Sequence, residues 1–158
     1  MIIVADTSPI ISLSVIGKLD LLKDIFEEFI IPEEVYRELT KNDKPYSEML
    51  KSFLKTNVRS INNHIAVEML NFEIDKGESE AIILAIENNI KTILIDDYKA
   101  RQVAMYKNLN VIGTIGLLLK AKMSGLIKEI KPLLDNLIAH NIRISNELYL
   151  TALSKADE

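Results

Sequence analysis

The chain has no cysteine among its 158 residues, and it has only two histidines, His64 and His140. The absence of cysteine excludes disulfides, zinc–thiolate sites and thiol catalysis. The two histidines lie in different segments without metal-ligand spacing, so we take neither as a candidate ligand. No apolar run is long enough to span a membrane, and no basic segment leads into an apolar one as in a signal peptide. We therefore expect a cytoplasmic protein with no membrane contact.

Basic residues are not in excess, because the formal net charge is −4 at pH 7. A protein that coats nucleic acid would be basic, so this charge argues against that class. It does not exclude a nuclease whose acids are concentrated in one cleft. Hydrophobic content of 48% and charged content of 27% are those of an ordinary globular protein. We expect one domain over residues 1–158, ending in a helical tail from about residue 127.

Short apolar segments alternate with amphipathic ones along the chain, which predicts βαβ units and a parallel sheet covered by helices on both faces. The predicted strands lie at 2–5, 29–31, 92–95 and 110–112, with a weaker edge strand at 57–61. The predicted helices lie at 10–16, 19–26, 33–40, 46–54, 66–72, 81–89, 99–108 and 115–123, followed by two amphipathic helices on either side of 141–145. There is no Gly-rich phosphate loop, which argues against a nucleotide-binding α/β domain.

Carboxylates follow two of the predicted strands directly. Asp6 ends the first strand, and Asp96 and Asp97 follow the strand at 92–95. A charged side chain at the end of a buried strand is costly unless something compensates it. Open α/β sheets place their sites at this edge. Ser8 is expected to cap the next helix, and Pro9 suits its first position.

Two further acids are candidates for the same site. Glu38 shares a helix face with apolar residues, and the alternative is an exposed acid at the edge of that stripe. Glu80 lies in the first turn of a strongly apolar helix, which indicates that its carboxylate points toward a group with which it interacts. Glu78 already has a structural explanation, because Asp75 and Glu78 have the spacing of a capping box. One of the two aspartates Asp96 and Asp97 is expected to cap the following helix.

Convergence of four such acids would favour a bound cation. Two carboxylates about 5 Å apart at an effective dielectric of about 20 repel by roughly 3 kcal/mol. Several such pairs require protonation or a cation. Oxygen ligands without cysteine or histidine suit Mg²⁺ or Mn²⁺ rather than zinc. Such a site is typical of phosphodiester hydrolysis, in which the metal activates a water.

With these residues in place, the chain resembles the PIN domain family of metal-dependent ribonucleases. It is most similar to short, stand-alone archaeal and bacterial PIN-like proteins related to the ribonuclease toxins of toxin–antitoxin pairs. The resemblance covers nearly the whole chain and implies a three-layer α/β/α sandwich with a central parallel sheet. The matching segments are VADTSPIISLSVIGKLDLL, IPEEVYREL, GESEAIILAIENN, TILIDDYKAR, VIGTIGLLLKAKMSGLI and IRISNELYLTAL.

The resemblance also implies roles for particular residues. The four acids of the family fall on Asp6, Glu38, Glu80 and Asp97, as catalytic residues. The implied metal ligands for Mg²⁺ or Mn²⁺ are Asp6, Glu80 and Asp97, with Asp96 as an alternative to Asp97 and Glu78 as an alternative to Glu80. The chain departs from the family at Ile95, where many members have threonine, and at Glu80, where they usually have aspartate.

Substrate contacts and partners follow from the same resemblance. Ser8 is an accompanying hydroxyl, and Lys99, Arg101 and Lys107 are positioned for phosphates on the helix after Asp97 unless they form an ordinary solvated face. The expected function is a ribonuclease with RNA as substrate, an antitoxin protein as a further partner, and a homodimer as its assembly. The stretches 10–22 and 115–126 would supply either the dimer surface or core. The alternative is a non-catalytic PIN-like module that binds nucleic acid or protein.

Overall fold

A computed structural model describes residues 1–43 and 45–158, and within them strands and helices alternate. The strands are β1 (Ile2–Ala5), β2 (Glu28–Pro32), β3 (Val58–Arg59), β4 (Thr92–Leu94) and β5 (Asn110–Ile112). The helices are α1 (Thr7–Val15), α2 (Leu21–Ile25), α3 (Glu33–Leu39), α4 (Ser47–Leu54), α5 (His64–Leu70), α6 (Lys76–Glu87), α7 (Tyr98–Tyr106), α8 (Thr114–Met123), α9 (Lys131–Ala139) and α10 (Asn146–Lys155). Among these helices, none combines the length and apolar character needed to cross a membrane.

The five strands form one sheet in the order β3-β2-β1-β4-β5, and every pairing is parallel. The predicted parallel sheet is therefore confirmed, including the short edge strand. Side chains along each strand alternate between two apolar clusters, as the period of a strand requires. Ile3 and Ala5 pack in one cluster, whereas Val4 between them packs in the other. The sheet is thus covered on both faces, which confirms the α/β/α sandwich.

The two covering layers differ in composition. One face carries helices from both ends of the chain, α1 to α4 and α8 to α10, and the other carries α5, α6 and α7. In α6 every residue from Gly77 to Ala85 is buried. Since this helix is covered all round from its first turn, the acids at its beginning are carried into the protein rather than into solvent.

The chain reverses its direction of travel across the sheet next to β1. It runs from β1 outward through β2 to β3, and it then returns to the other side of β1 as β4 and β5. The backbone N–H of Asp6 donates to the carbonyl oxygen of Leu94 at 2.9 Å across this reversal. Ligand sites of open α/β sheets lie outside the carboxyl ends of the strands at such a point.

The first helix differs from its prediction at its start. Helix α1 begins at Thr7, so Asp6 holds the N-cap position, and Ser8 and Pro9 already lie inside the helix. The expectation that Ser8 caps this helix is therefore wrong. The reason is that the chain turns within one residue: Asp6 is still extended, with φ −94° and ψ 171°, and the next residue is helical.

The two apolar stretches at 10–22 and 115–126 are mostly core. Ile10, Leu13 and Leu22 are fully buried, and so are Leu117 and Leu118. The core alternative for these stretches is therefore the one observed. The expected homodimer remains a prediction that these stretches do not support.

Candidate active site

Asp6 is the central acid of the site. It lies at the carboxyl end of the central strand, and only 2% of its surface is exposed. Burial raises the pKa of Asp6 to about 7, the N–H of Thr7 opposes that rise, and the charges of Glu78, Glu38 and Asp96 add to it. These three carboxylates therefore lie close enough to Asp6 for their charges to act on it. The structure thus brings together acids from four separate segments.

Glu38 is held at the site by a hydroxyl and by a glycine. The Oγ1 atom of Thr7 donates to Oε2 of Glu38 at 2.6 Å. A Cβ atom on Gly77 would lie 2.8 Å from Oε1 of Glu38, so glycine leaves the space that this carboxylate occupies. Burial raises the pKa of Glu38, the Thr7 hydroxyl opposes that rise, and the charges of Glu34 and Asp75 add to it.

Glu78 is the acid of α6 that joins the others. Its Oε2 atom accepts from the backbone N–H of Asp75 at 3.0 Å, which completes the predicted capping box. Burial raises the pKa of Glu78 to about 7, the N–H of Asp75 opposes that rise, and the charges of Asp75, Asp97 and Glu38 add to it. The capping role therefore does not exclude Glu78 from the site.

Asp96 and Asp97 both follow β4, and each accepts backbone hydrogen bonds. Asp96 accepts from the N–H of Thr114 at 2.7 Å and from its hydroxyl at 2.6 Å, at the start of α8. Asp97 accepts from the N–H of Ala100 at 2.9 Å and caps α7. The charge of Asp96 acts on Asp6, whereas the charge of Asp97 acts on Glu78. Both aspartates therefore border the site, on different sides.

Glu80 is placed differently from the other candidate acids. It is buried, with 7% of its surface exposed, and its Oε2 atom accepts from the backbone N–H of Glu34 at 3.0 Å. That N–H is one of the free donors in the first turn of α3. Glu78 is the acid of α6 among the largest causes that raise the pKa of Asp6. We therefore define the carboxylate cluster as Asp6, Glu38, Glu78, Asp96 and Asp97.

The carboxylate cluster suits a hard divalent cation by charge and by donor type. Its donors are oxygen atoms only, and their mutual repulsion is the condition that a cation relieves. Within residues 1–43 and 45–158, however, no three His, Cys, Asp or Glu side chains already form a group that could hold a metal ion. The cluster therefore fits a cation chemically, and side-chain rotation is needed to complete a ligand set.

Two cavities border the carboxylate cluster. The cationic groove, about 680 Å³ in volume, includes Asp96, Arg101 and Ser8 in its lining. The acidic pocket, about 530 Å³ in volume, includes Glu78, Asp97 and Lys99. The three residues expected to contact substrate are thus divided: Ser8 and Arg101 face the groove, and Lys99 faces the pocket.

Sequence reasoning missed two contributors. Thr7 holds Glu38, although the sequence alone assigns no role to its hydroxyl. Asp75 was assigned only to the capping box, yet its charge raises the pKa of both Glu38 and Glu78. The capping box itself is the signal that places Asp75 beside Glu78, because the motif brings those two residues into hydrogen-bonding contact.

Fold and site together define an α/β/α protein with an acidic centre at the carboxyl edge of a parallel sheet. A family model described as PIN domain matches residues 2–158, so the chain belongs to the PIN domain family. The resemblance inferred from the motifs is therefore confirmed, and with it a nuclease-like fold. PIN domains generally use divalent metals. No curated protein and no solved structure matches the chain.

Proposed function

We propose that this protein is a metal-dependent ribonuclease that hydrolyses RNA phosphodiester bonds with Mg²⁺ or Mn²⁺. The observation that carries the proposal is the burial of Asp6 among the charges of Glu38, Glu78 and Asp96 at the reversal point of the sheet. Such repulsion costs stability in a marginally stable domain, and strongly raised carboxyl pKa values cluster at functional sites. We further propose that it works in the cytoplasm as a homodimer, with an antitoxin protein as partner.

The residues that would hold the cation are those of the carboxylate cluster. Asp6 is central, Glu38 and Glu78 approach from two helices, and Asp96 and Asp97 border it. When bound there, a divalent cation would supply activation of a water and stabilisation of negative charge on phosphate oxygens. The chain itself contributes position: Thr7 orients Glu38, and burial keeps bulk water away from Asp6.

Glu78 is the acid of α6 that we assign to this role. Its charge acts on Asp6, whereas Glu80 accepts a hydrogen bond from the first turn of α3. The family motif places the third acid on Glu80, before Ala81. The two glutamates are two positions apart on one helix, and they therefore point in different directions.

The direct test is RNA cleavage in the presence of Mn²⁺ by the wild type, Asp6→Asn and Asp24→Asn. Asp24 is an exposed acid of α2 and serves as the matched control. We expect cleavage by the wild type and by the control, and a loss of roughly 100-fold or more in Asp6→Asn. Equal cleavage by the wild type and Asp6→Asn would remove the proposed mechanism.

A non-catalytic PIN-like module is the alternative, and one observation favours it. In the described part of the chain no three acidic side chains are already arranged around a common point for a metal. Asp96 and Asp97 each accept a backbone N–H instead, and so does Glu80. A module of this kind would bind RNA or protein without cleavage by the wild type at any Mn²⁺ concentration.

A further inference from the structure

A groove runs beside the carboxylate cluster between the start of α8 and the C-terminal helices. Its walls come from α1, β5, α8 and α10, and from the segment that joins α9 to α10. Helix α10 is fixed to α9 because the hydroxyl of Tyr149 donates to Oδ1 of Asp135 at 2.6 Å. The cationic groove is therefore a built feature of the sandwich and not a gap beside a loose tail.

The charge of the groove is opposite to that of the chain. Among the described residues that line it, four side chains are cationic, Arg101, Lys120, Arg143 and Lys155, and one is a carboxylate, Asp96. None of the four forms an ion pair or a side-chain hydrogen bond with the residues that the structure describes. Four unpartnered cations in one cavity of an acidic protein indicate a ligand that carries several negative charges.

The remaining lining of the groove is largely apolar. Side chains of Ile112, Ile115, Ile144 and Leu148 contribute to it. Helix α10 presents one face to the groove, because the four of its residues that line it follow the i, i+3, i+4, i+7 spacing: Leu148, Thr151, Ala152 and Lys155. The ligand therefore combines negative charge with flat or apolar surface.

Arg101 and Asp96 connect the groove to the carboxylate cluster. A Cβ atom on Gly113 would lie 2.6 Å from NH1 of Arg101 and 3.0 Å from Oδ1 of Asp96. The guanidinium group and the carboxylate therefore both lie beside Gly113 at the start of α8, without forming an ion pair. Since Asp96 lines the groove and belongs to the carboxylate cluster, the groove borders the site of the proposed reaction.

We propose that the cationic groove holds the unpaired RNA strand next to the scissile phosphate, with phosphates on Arg101, Lys120, Arg143 and Lys155 and bases over the apolar floor. This inference rests on the proposed ribonuclease function and adds the path of the substrate. The C-terminal helices, which hold no member of the carboxylate cluster, thereby become part of the substrate site.

The dimensions and chemistry of the groove favour an unpaired strand. A cavity of about 680 Å³ has the size of a pocket for a small ligand, so it admits a few nucleotides and not a double helix. In a duplex the base faces are stacked inside and only the backbone and the base edges are presented, which leaves an apolar floor without a partner. None of the described residues that line the groove is aromatic. We therefore expect backbone recognition with little preference among bases.

The experiment measures binding separately from cleavage, in an Asp6→Asn background without divalent metal. The probes are a fluorescein-labelled oligouridylate, a duplex RNA of the same length and a polyglutamate peptide. The test variant is Arg143→Gln with Lys155→Gln, two exposed positions outside the carboxylate cluster. The control is Lys55→Gln with Lys91→Gln, which removes the same charge. These two lysines lie in the segments that precede β3 and β4, where the strands begin, whereas the carboxylate cluster lies where the strands end.

We expect the single strand to bind more tightly than the duplex, and the test variant to bind it roughly ten-fold more weakly at low salt. Each phosphate contact contributes about 0.7 to the slope of log affinity against log salt for a single strand, so the slope falls by about 1.4 in the test variant. The control should keep both the affinity and the slope. A variant that only perturbs the structure would not lower the slope of log affinity against log salt by the amount expected for two lost phosphate contacts.

Three results of the binding experiment would overturn the inference: equal losses in test and control variants, equal affinity for duplex and single strand, or groove-dependent binding of polyglutamate without RNA binding. The last result would assign the groove to an acidic protein segment. The proposed function fails separately: it falls if the wild type does not cleave RNA with Mn²⁺, or if Asp6→Asn cleaves RNA as the wild type does. If Arg143→Gln with Lys155→Gln, in a chain that keeps Asp6, cleaves RNA with an unchanged KM, the ribonuclease function stands but the proposed path of the strand through the groove is wrong.

Discussion

The cationic groove and the acidic pocket both border the carboxylate cluster, but they differ in whether their cationic side chains form ion pairs. In the acidic pocket the lysines are paired: Lys99 lies 3.4 Å from Glu73, and Lys76 lies 3.4 Å from Glu34. In the groove, the four cations have no such partner among the described residues. Cations that are already neutralised contribute little to a new ligand, whereas unpartnered ones keep their full attraction.

This difference indicates that the local charge of a cavity, rather than the net charge of the chain, decides whether an anionic ligand can bind there. The chain carries a net charge of −4, which by itself argues against nucleic-acid binding. Its acids are concentrated around one edge of the sheet, and a separate cavity next to them is cationic. An anionic substrate is thus attracted on one side of the site and repelled on the other, which fixes its direction of approach.

The largest change in cleavage rate is expected at one of the two glutamates of α6. Comparing the two variants shows which glutamate belongs to the carboxylate cluster, which separates the two cavities. Glu78→Gln should lower RNA cleavage roughly 100-fold, because it removes a charge that acts on Asp6. Glu80→Gln keeps an oxygen that accepts from the N–H of Glu34, so its activity should stay within a few-fold of the wild type. Rates at saturating Mn²⁺ compare the two. The reverse ranking would restore Glu80 as the third acid.

The next effect concerns the pH dependence of stability without divalent metal. The pKa of Asp6 is raised from 3.8 to about 7 in the folded protein, so the folded state binds a proton that the unfolded state loses between these values. The contribution of Asp6 to stability is present below the lower value and is lost as pH rises through the upper one. Asp6→Asn should therefore be more stable than the wild type by on the order of 2–3 kcal/mol at pH 8.

Urea unfolding in the presence of EDTA measures this difference, with Asp24→Asn as control. The advantage of Asp6→Asn should vanish at low pH, where the wild-type carboxyl group is also neutral. An advantage of the same size at low and high pH would show that removal of charge is not its cause.

Smaller changes in the kinetic constants are expected from two glycines, one beside the carboxylate of Glu38 and one beside the guanidinium of Arg101. Gly77→Ala would displace the carboxylate of Glu38, so kcat should fall roughly ten-fold with KM retained. Gly113→Ala would displace the guanidinium of Arg101, so KM should rise several-fold with a smaller change in kcat. Steady-state cleavage of a labelled single strand separates the two constants.

Gly116→Ala is the control for these two variants, since its Cβ atom would meet only Ile112 at 3.5 Å. In the first turn of α8 this change should raise stability by up to about 1 kcal/mol. If Gly77→Ala and Gly113→Ala change the same kinetic constant, the two sides of the site do not have separate roles.

The smallest effect is expected from Lys99, which tests whether the acidic pocket takes part in binding. Its ammonium group pairs with Glu73, and the pocket around it also contains Asp75, Glu78 and Asp97. Lys99→Gln should therefore change single-strand affinity by less than about two-fold. A loss as large as that of the Arg143→Gln and Lys155→Gln variant would mean that the strand crosses both cavities.

The strands and the edge at which the acids gather could be predicted from the sequence. Short apolar segments that end in Asp6 and in Asp96 fix both the strands and the polarity of a parallel sheet. The identity of the acid on α6 could not be predicted. Glu78 and Glu80 are both buried because α6 is covered all round, so no pattern of apolar residues distinguishes their directions.

The cationic groove could not be predicted for a different reason. Its cations come from α7, α8, α10 and the segment before α10, which are far apart along the chain. Arg101 alone was a candidate, because it lies on the helix after Asp97. The helix periodicity of α10 does place Leu148 and Lys155 on one face, but only the packing of α10 against α8 shows what that face borders.

Calorimetric titration of the metal-free protein with Mn²⁺ tests the central claim most directly. The account predicts saturable binding by the wild type and by Asp24→Asn, and loss of that binding in Asp6→Asn, because Asp6 is the acid on which the charges of Glu38, Glu78 and Asp96 act. Absence of saturable binding to the wild type, or unchanged binding in Asp6→Asn, would contradict it.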